Sequence, residues 1–541
     1  MLDVEICLTP HGHGCDDEHK PFFLNTAGHS ALVVFDLYHT TLSYPNMVPD
    51  RYNEIWDIYI LERLATLGIN HRNYTGNEEL ISRFQSDLDG WKENFSGSGE
   101  IPAYIADKIV DYCRSLIEIV KGKGAWHHYV VIEVPFALSL SRLTRHGVFI
   151  DRRKADLFLS FAPTARNKFV NQLRRAGLDS TADEDLKQWL IDSGRVELQQ
   201  LADSGQYLNY KANVSLDPVF EIFKRLDKLK RGHKLVQCIN LGRQDLYPSY
   251  RTMGTDTARC TCRKPNVMAI PKELRPLVIP HSASWGIVEI DYCQMEVGVI
   301  AALAMDRQLI SDFNSGDVYQ RLASFLSIER DLAKKVFLSL IYGVGISTLT
   351  RWIGGGDNTT TKQMMNRFFT RYPKLQDYLN ELVQQGREHG FATTVTGLRR
   401  YIGTERAGIL SPERLRDWET NWFKNYPVQG SSAAVFKQSI INIERRVSVR
   451  EFRLLVPMYD SIVFEAPLNQ LQYFIELVSN EMRSAMQQYF PVLKPKVEVN
   501  DFAVQYWNSK DSLVSFNDFL ANPLDGIMPG INKNDDWSQF L

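Results

Sequence analysis

Asp291 closes the apolar, β-prone run Gly286-Ile287-Val288-Glu289-Ile290-Asp291, and the segment Tyr292-Cys293-Gln294-Met295-Glu296-Val297 follows with helical spacing and a second carboxylate five residues on. A carboxylate fixed at the end of a buried strand is where a hard divalent cation can be held rigidly, because such ions take oxygen ligands. Far downstream, Leu454-Leu455-Val456-Pro457-Met458-Tyr459-Asp460-Ser461-Ile462-Val463-Phe464 reads as two short apolar strands around a polar turn with Asp460 at its tip. Two aspartates facing each other across one sheet would make the clamp for two divalent ions that phosphoryl transfer uses. Either stretch alone describes an ordinary strand end; what matters is the company they keep.

The helix predicted over 328–342 is the best defined in the chain. Ser327 is placed to cap it, Glu329 and Asp331 put acids in its first turn, and Gly343 and Gly345 stop it. Arg330, Lys334, Leu338 and Tyr342 recur every fourth residue, so their side chains project from one stripe. Two cations, an apolar residue and an aromatic in that order suit a triphosphate, a sugar and a base. The same pattern also describes a snorkelling amphipathic helix.

At 541 residues, with 44% apolar and 23% charged residues, the chain is that of a globular protein with about three or four domains. No apolar run approaches the ~20 residues a bilayer crossing needs, and Met1-Leu2-Asp3-Val4-Glu5 lacks a basic region ahead of an apolar stretch. A cytoplasmic protein is expected, or one in a host's cytoplasm if phage-encoded, without a membrane partner. Seven cysteines without framework spacing suggest reduced thiols. Cys7, His11, His13, Cys15 and His19 invite a zinc reading, but without paired spacing a polar loop describes them better. The formal charge of -2 gives no basic excess of the kind nucleic-acid binders often show. Lys224, Arg225, Lys228, Lys230, Arg231 and Lys234 nevertheless crowd one helical segment, either as a solvated face or as a grip on phosphates.

A strand pattern at Ala31–Leu37 and helical stretches at 50–68 and 103–121 occupy the first 130 residues, with seams at Ser96-Gly97-Ser98-Gly99 and Lys121-Gly122-Lys123-Gly124. From 131 to 240 the spacing is mainly helical. Beyond that, β-like runs at 286–291, 391–396 and 452–465 alternate with long helices, an α+β pattern.

Taken together and in order, Asp291-x4-Glu296, Arg330-x3-Lys334-x7-Tyr342-Gly343 and Tyr459-Asp460 resemble the three polymerase motifs of family A DNA polymerases, the family of bacterial DNA polymerase I and its phage relatives. Glu133-Val-Pro135 with Gly147-Val148 and Asp151 resembles the approach to the family's thumb. Thr257-Ala258-Arg259, Pro265-Asn266 and Ile270-Pro271 resemble its primer-binding stretch. Gly397-Leu398-Arg399-Arg400-Tyr401 and Asn425-Tyr426-Pro427-Val428-Gln429-Gly430 resemble two further segments. The likeness covers roughly 131–507.

The resemblance implies an α+β right-hand polymerase. Its parts would be a thumb at 131–245 entered from the palm, palm at 246–305 and 397–507, fingers at 306–396, a small α/β exonuclease-like domain at 1–130 and a tail at 508–541. It implies primer-template DNA and dNTPs as partners. Two Mg²⁺ ions, or Mn²⁺, would sit on Asp291, Asp460 and the backbone carbonyl of Tyr292. Arg330 and Lys334 would hold the triphosphate, with Lys334 also donating a proton to the leaving pyrophosphate. Gln294 and Leu338 would line the nucleotide, Tyr342 would pack on the new base pair, and Glu296 would exclude a 2′-hydroxyl. Arg259, Asn266, Arg399, Arg400, Asn425, Gln429, Tyr459 and Lys228 would contact DNA. Of these, Arg259, Asn425 and Gln429 would read the minor groove, whose acceptors are nearly the same for every correct pair.

Four departures stand out. Leu338 replaces an aromatic along the incoming sugar, and Tyr459-Asp460-Ser461 replaces His-Asp-Glu, with loss of an auxiliary charge at Ser461. Thr-Ala-Arg replaces Thr-Gly-Arg, and Asn421 replaces an arginine. In front, Asp3-Val4-Glu5 and Asp36 offer only fragments of a proofreading site, and Leu116 stands where the closing motif has an aspartate. A reduced, inactive exonuclease-like domain is expected, with Asp3, Glu5 and Asp36 or Asp107 as the residues that would act if it were not. The acidic tail Asp535-Asp536-Trp537-Ser538-Gln539-Phe540-Leu541 reads either as a disordered or strapped-down terminus or as a docking peptide for a clamp or other accessory protein. A single-subunit RNA polymerase is opposed by Glu296, a reverse transcriptase by Asp460-Ser461 in place of Asp-Asp, and an idle DNA-binding scaffold by the intact set of site residues.

Overall fold

The computed structural model describes residues 4–8, 22–24, 31–43, 52–66, 103–238 apart from 204 and 215, 245–402 apart from 344, 347–348 and 351–357, 417–499 apart from 449, and 506–507. Asp3, the histidines and Cys15 of the suspected zinc cluster, the Ser96–Gly99 seam and the tail beyond Trp507 lie outside them.

Strands β1 (Val4–Leu8), β2 (Phe22–Leu24), β3 (Ala31–Val34) and β4 (Glu54–Asp57) form a sheet in the order β2-β1-β3-β4, with β1, β3 and β4 parallel and β2 antiparallel. β3 is apolar throughout and fully buried, as an inner parallel strand must be. Helices α1 (Leu37–Ser43) and α2 (Ile58–Thr66) follow the ends of β3 and β4, and α3 (Ala103–Gly122) packs on α2. The helix expected over 50–68 therefore begins only at Ile58, because 54–57 pairs residue for residue with β3 and strand pairing overrides local preference.

Asp57, which the sequence reading passed over, is buried and accepts the backbone N–H groups of Leu37 at 2.7 Å and Ile60 at 2.8 Å, stitching together the starts of α1 and α2. Burial, with Asp36 adding to it, holds the Asp57 carboxyl well above the ordinary range. Asp36 is itself buried and accepts the His39 N–H at 3.1 Å. Asp107 is exposed on α3, whose inner side carries Ile109, Cys113, Leu116 and Val120. Leu116 is thus a core residue.

The turn expected at Lys121–Gly124 is present: α3 ends at Gly122 and Gly124 sits at a left-handed φ of 73°. Trp126–His128 then runs through a π-helical turn, Tyr129–Glu133, into α4 (Val134–His146). At this junction His128, Glu133 and Lys437 are almost completely buried together. Glu133 Oε1 meets His128 Nε2 at 2.8 Å and accepts from Lys437 Nζ, while His128 Nδ1 meets Thr396 Oγ1 at 2.9 Å. Three sequence-distant segments are locked by one charge network.

Helices α5 (Arg152–Arg175), capped by Asp151, α6 (Asp183–Asp192), α7 (Val196–Asp203) and α8 (Val219–Gln237) make the middle unit. Gly232 lets α8 approach closely, since a Cβ there would lie 2.3 Å from Leu274 and 2.7 Å from the Phe158 ring of α5. Short strands β5 (Val148–Ile150), β6 (Asp245–Leu246), β7 (Ser249–Arg251), β8 (Thr261–Arg263) and β9 (Val278–Ile279) form a sheet β6-β5-β9 and a ribbon β7-β8.

β10 (Trp285–Tyr292) leads into α9 (Met295–Leu303) and the helices α10 (Arg307–Ser315), α11 (Val318–Leu326), α12 (Arg330–Tyr342), α13 (Asn358–Arg371) and α14 (Pro373–His389). The hairpin β11 (Phe391–Thr393) and β12 (Arg399–Tyr401), the long α15 (Asp417–Glu444), β13 (Arg453–Met458), β14 (Ser461–Pro467), α16 (Leu471–Tyr489) and β15 (Val497–Val499) follow. The central sheet is antiparallel with the order β13-β14-β10-β15, and α16 packs on β10 and β14. Among the described residues no helix is long and apolar enough to cross a membrane.

Burial alone would raise the Glu133 carboxyl, but Lys437 and His128 outweigh it and hold it below its ordinary value of 4.5. The network's contribution is therefore fully present above that pH and is lost as pH falls through the lower folded value. Lys437→Met should cost about 3–5 kcal/mol of unfolding free energy near neutrality, because a buried carboxylate loses its cation. Urea unfolding at pH 7 and pH 4 checks this, and the gap between wild type and variant should narrow in acid.

Candidate active site

The sheet register decides the geometry. Asp291 at the end of β10 lies opposite Ser461 on one side and Glu498 of β15 on the other. β13 and β14 join through only Tyr459 and Asp460, as the turn signal predicts, and Tyr459 takes a left-handed φ of 57°. The Asp460 N–H donates to Met458 O at 2.6 Å and its carbonyl accepts the Tyr292 N–H at 3.0 Å, tying the turn to the end of β10. A non-glycine residue in so tight a turn stores on the order of 1 kcal/mol or more, which the paired strands on either side sustain.

Asp291 and Asp460 line one cleft of about 680 Å³ with Glu296, Arg330, Lys334 and Leu338. That is ample room for a small polyanionic ligand. Burial, then Asp460, Glu289 and Glu498, push the Asp291 carboxyl up to about 8. Asp460 is raised by burial, with Glu296 and Glu289 adding to it. Asp291 Oδ1 is buried and has no hydrogen-bond partner among the described residues. Crowded carboxylates and an orphaned buried oxygen fit divalent cations, which would supply the missing positive charge. Tyr292 can serve such an ion only through its backbone, since its hydroxyl is buried against Ser439 Oγ at 2.8 Å and Met482 O.

Ser461 does not line the cleft. It is 4% exposed, and its hydroxyl donates to Glu289 Oε1 at 3.2 Å on the same face of the sheet as Asp291. Glu289 is paired with the Arg275 guanidinium at 3.0 Å and accepts the Trp507 Nε1–H at 2.8 Å. Glu289, two residues before Asp291, is thus a buried carboxylate that already has partners.

The stripe on α12 holds as predicted, but its start differs. Ser327 ends α11 in a left-handed conformation, φ 60°, and Glu329 precedes α12 without a side-chain cap. Gly343 does stop the helix at φ 72°. The Asn421 Nδ2 donates to Gly343 O at 2.9 Å, so Asn421 fixes the end of α12 rather than merely lacking an arginine's charge. Arg330 Nε donates to Asp317 Oδ2 at 2.6 Å. Leu338 and Lys334 border the cleft directly. Tyr342 donates its hydroxyl to Glu296 Oε2, Arg259 Nη2 donates to Glu296 Oε1, and Arg259 lies over the Tyr459 ring at 5.5 Å. Gln429 reaches the Tyr342 hydroxyl from α15. Gln294, at a left-handed φ of 56°, binds Asp317 and the Val318 N–H.

Other candidates stand outside this cleft. Asn425 lies one turn before Gln429 on α15, its Oδ1 buried without a partner. Arg400 pairs with Asp256 at 2.9 Å, Arg399 lies over the Phe391 ring at 4.6 Å, and Asn266 is exposed. Lys228 is bound to Glu273 and Arg231 to Asp227, while Lys224 and Arg225 share Glu221, so most of the basic run on α8 is already paired. Asp317, Tyr319, Lys496 and Glu498 line the cleft without having been singled out. Asp317 carried a legible signal as an N-cap, but the other three did not.

A family model described as DNA polymerase family A matches residues 198–508. A DNA polymerase I of Chloroflexus aurantiacus is 26% identical over 69% of this chain and 42% of its own length. A thermostable DNA polymerase I of Thermus caldophilus is 27% identical over 71% of this chain and 49% of its own. The chain thus spans less than half the length of these curated relatives. A solved structure, the POL domain of Pol1 from M. smegmatis in complex with DNA primer-template and dNTP, superposes with a TM-score of 0.68 at 18% identity, covering 91% of this chain and 88% of that one. That likeness is one of fold.

An acid whose folded pKa is raised destabilises the fold progressively as pH climbs from its unfolded value toward the folded one. Without divalent ions, Asp291→Asn should therefore be more stable than the native chain at pH 8, by about 1–3 kcal/mol. The advantage should vanish near pH 4. Thermal melts in chelator across that range, with and without Mg²⁺, measure it.

Proposed function

Because this chain belongs to DNA polymerase family A, we propose that it is a template- and primer-dependent DNA polymerase that adds deoxyribonucleotides to a primer 3′-hydroxyl. The observation that carries the reading is the coincidence, in one cleft, of two carboxylates raised by burial and by neighbouring acids with the Arg330 and Lys334 stripe of α12. In this assignment the palm is the sheet β13-β14-β10-β15 with α4, α15 and α16, the fingers are α10–α14, and the thumb is α5–α8. The M. smegmatis structure, which holds primer-template and dNTP on the same fold, supports those partners.

Asp291, Asp460 and the Tyr292 carbonyl would hold two Mg²⁺ ions, with Mn²⁺ an alternative. When bound, such ions activate the attacking hydroxyl and offset charge on the leaving pyrophosphate. Arg330 and Lys334 grip the triphosphate, and Lys334 is placed to protonate the departing pyrophosphate. Since phosphoryl transfer asks little covalent chemistry of a protein, these residues act by position and charge. Glu296 stands beneath the sugar, where a 2′-hydroxyl would meet it. Its two oxygens are held by Arg259 and Tyr342, so the gate is braced rather than loose. Gln294 and Leu338 border the nucleotide, and Arg259, Asn425 and Gln429 face the minor groove of the newest pairs. Asn266, Arg399, Arg400 and Tyr459 contact the DNA backbone and primer end. Lys228, tied to Glu273, plays at most a minor part. The first domain lacks proofreading in this reading, which the exposed Asp107 and the core position of Leu116 support.

Primer extension tests the assignment. Asp291→Asn and Asp460→Asn should each lower the rate by about 10³-fold or more, since several kcal/mol of charge stabilisation is lost. Equal use of rNTPs by the wild type would sink the DNA polymerase reading. Glu296→Ala should raise ribonucleotide incorporation by about 10²-fold or more relative to wild type, if the gate acts as a braced steric stop. A mismatched primer end incubated with Mg²⁺ and no dNTPs should persist, and its efficient removal would overturn the inactive-exonuclease assignment.

A further inference from the structure

A carboxylate inside a cleft that takes a triphosphate has the wrong sign for its surroundings unless it holds something else in place. Asp317 is such a group. Its Oδ1 accepts from the backbone N–H groups of Tyr319 at 2.9 Å and Gln320 at 3.2 Å and from Gln294 Nε2 at 2.6 Å. Gln294 Oε1 in turn accepts the Val318 N–H at 3.1 Å. One oxygen is thus fixed by the start of α11 and by the loop that follows Asp291. The other oxygen, Oδ2, receives Arg330 Nε at 2.6 Å.

We propose that Asp317 is a positioning residue that parks the Arg330 guanidinium while the cleft lacks nucleotide and yields it to the incoming triphosphate. The proposal rests on the nucleotide-site reading given above. The exchange is of anion for anion and leaves the backbone in place. Asp317 is a fixed station, whereas the Arg330 side chain is 44% exposed and can swing on its own bonds. Arg330 and Lys334 both lie over the Tyr319 ring, each at 5.8 Å, so the parked guanidinium stays beside the second cation. Asp331, 3.7 Å from Arg330 Nη1, is 91% exposed and competes weakly. A ligand with a single phosphate offers Arg330 little that Asp317 does not already give. A polyphosphate long enough to engage Lys334 as well outbids the aspartate, so the latch favours triphosphates over shorter anions.

The test is calorimetric binding of inorganic tripolyphosphate to the full chain. Asp317→Asn and Asp317→Ser keep a capping oxygen for α11 and drop the charge. Both should bind tripolyphosphate about 3- to 10-fold more tightly than wild type and gain much less for orthophosphate, and the gain should collapse when combined with Arg330→Ala. Unchanged or weaker binding in both variants, or a gain that survives Arg330→Ala, overturns the latch. Primer extension by the wild type, run alongside, separates the two readings. Its absence would count against the polymerase assignment, while the tripolyphosphate measurement still decides the exchange.

Discussion

Two carboxylates with no ion pair among the described residues, held at the rim of a sheet, are the constraint around which this structure is arranged. Burial and mutual repulsion push Asp291 up to about 8, and they do so because the strands that present it cannot relax. β10 is flanked by β14 and β15 and is almost wholly buried, and the turn bearing Asp460 is pinned to Tyr292 through its backbone. A fold that stores repulsion at one place must sustain it elsewhere. Here the nearby buried carboxylate, Glu289, is answered by Arg275, Ser461 and Trp507, whereas Asp291 Oδ1 has no hydrogen-bond partner among the described residues.

The rest of the site is a set of arginine, tyrosine and carboxylate contacts joining the mobile-looking chemistry of long side chains to rigid elements. Glu296 is the hub, reached from β8's approach by Arg259 and from α12 by Tyr342. The end of α12 is set by Gly343, where any added Cβ would strike Asn421 Oδ1 at 2.0 Å. Side chains on three elements thereby share one position, and a shift of α12 relative to the sheet must break or remake several contacts at once.

The unit built on β1–β4 is tied to the segments that follow it by buried hydrogen bonds. Tyr38 hydrogen-bonds Thr144 at 2.9 Å and accepts the Tyr250 N–H at 3.0 Å, while Tyr129 donates to Ile55 O at 2.7 Å and accepts the Asp57 N–H at 2.7 Å. The buried His128–Glu133–Lys437 network sits at the same junction. Asp36 and Asp57 serve as caps for α1 and α2, so Asp36, a candidate for chemistry from the sequence, is occupied in holding the fold. Ser327 teaches the same lesson in the opposite direction, since the residue expected to cap α12 instead ends α11.

The sequence by itself determined the strand ends at Asp291 and Asp460, the four-residue stripe of α12 with its stop at Gly343, and the order of the motifs, because each of these is local. Alternation fixes a strand, a period of four fixes a helical face, and a lone glycine fixes a left-handed stop. The tertiary structure alone decided the cross-strand register that sets Asp291 beside Glu498, the partners that neutralise Glu289, the pairing of β4 that displaced an expected helix, and the parking of Arg330 on Asp317. Each of those depends on which distant segments share a surface. No window of sequence records that, because long-range pairing is chosen by the burial and charge balance of the whole chain.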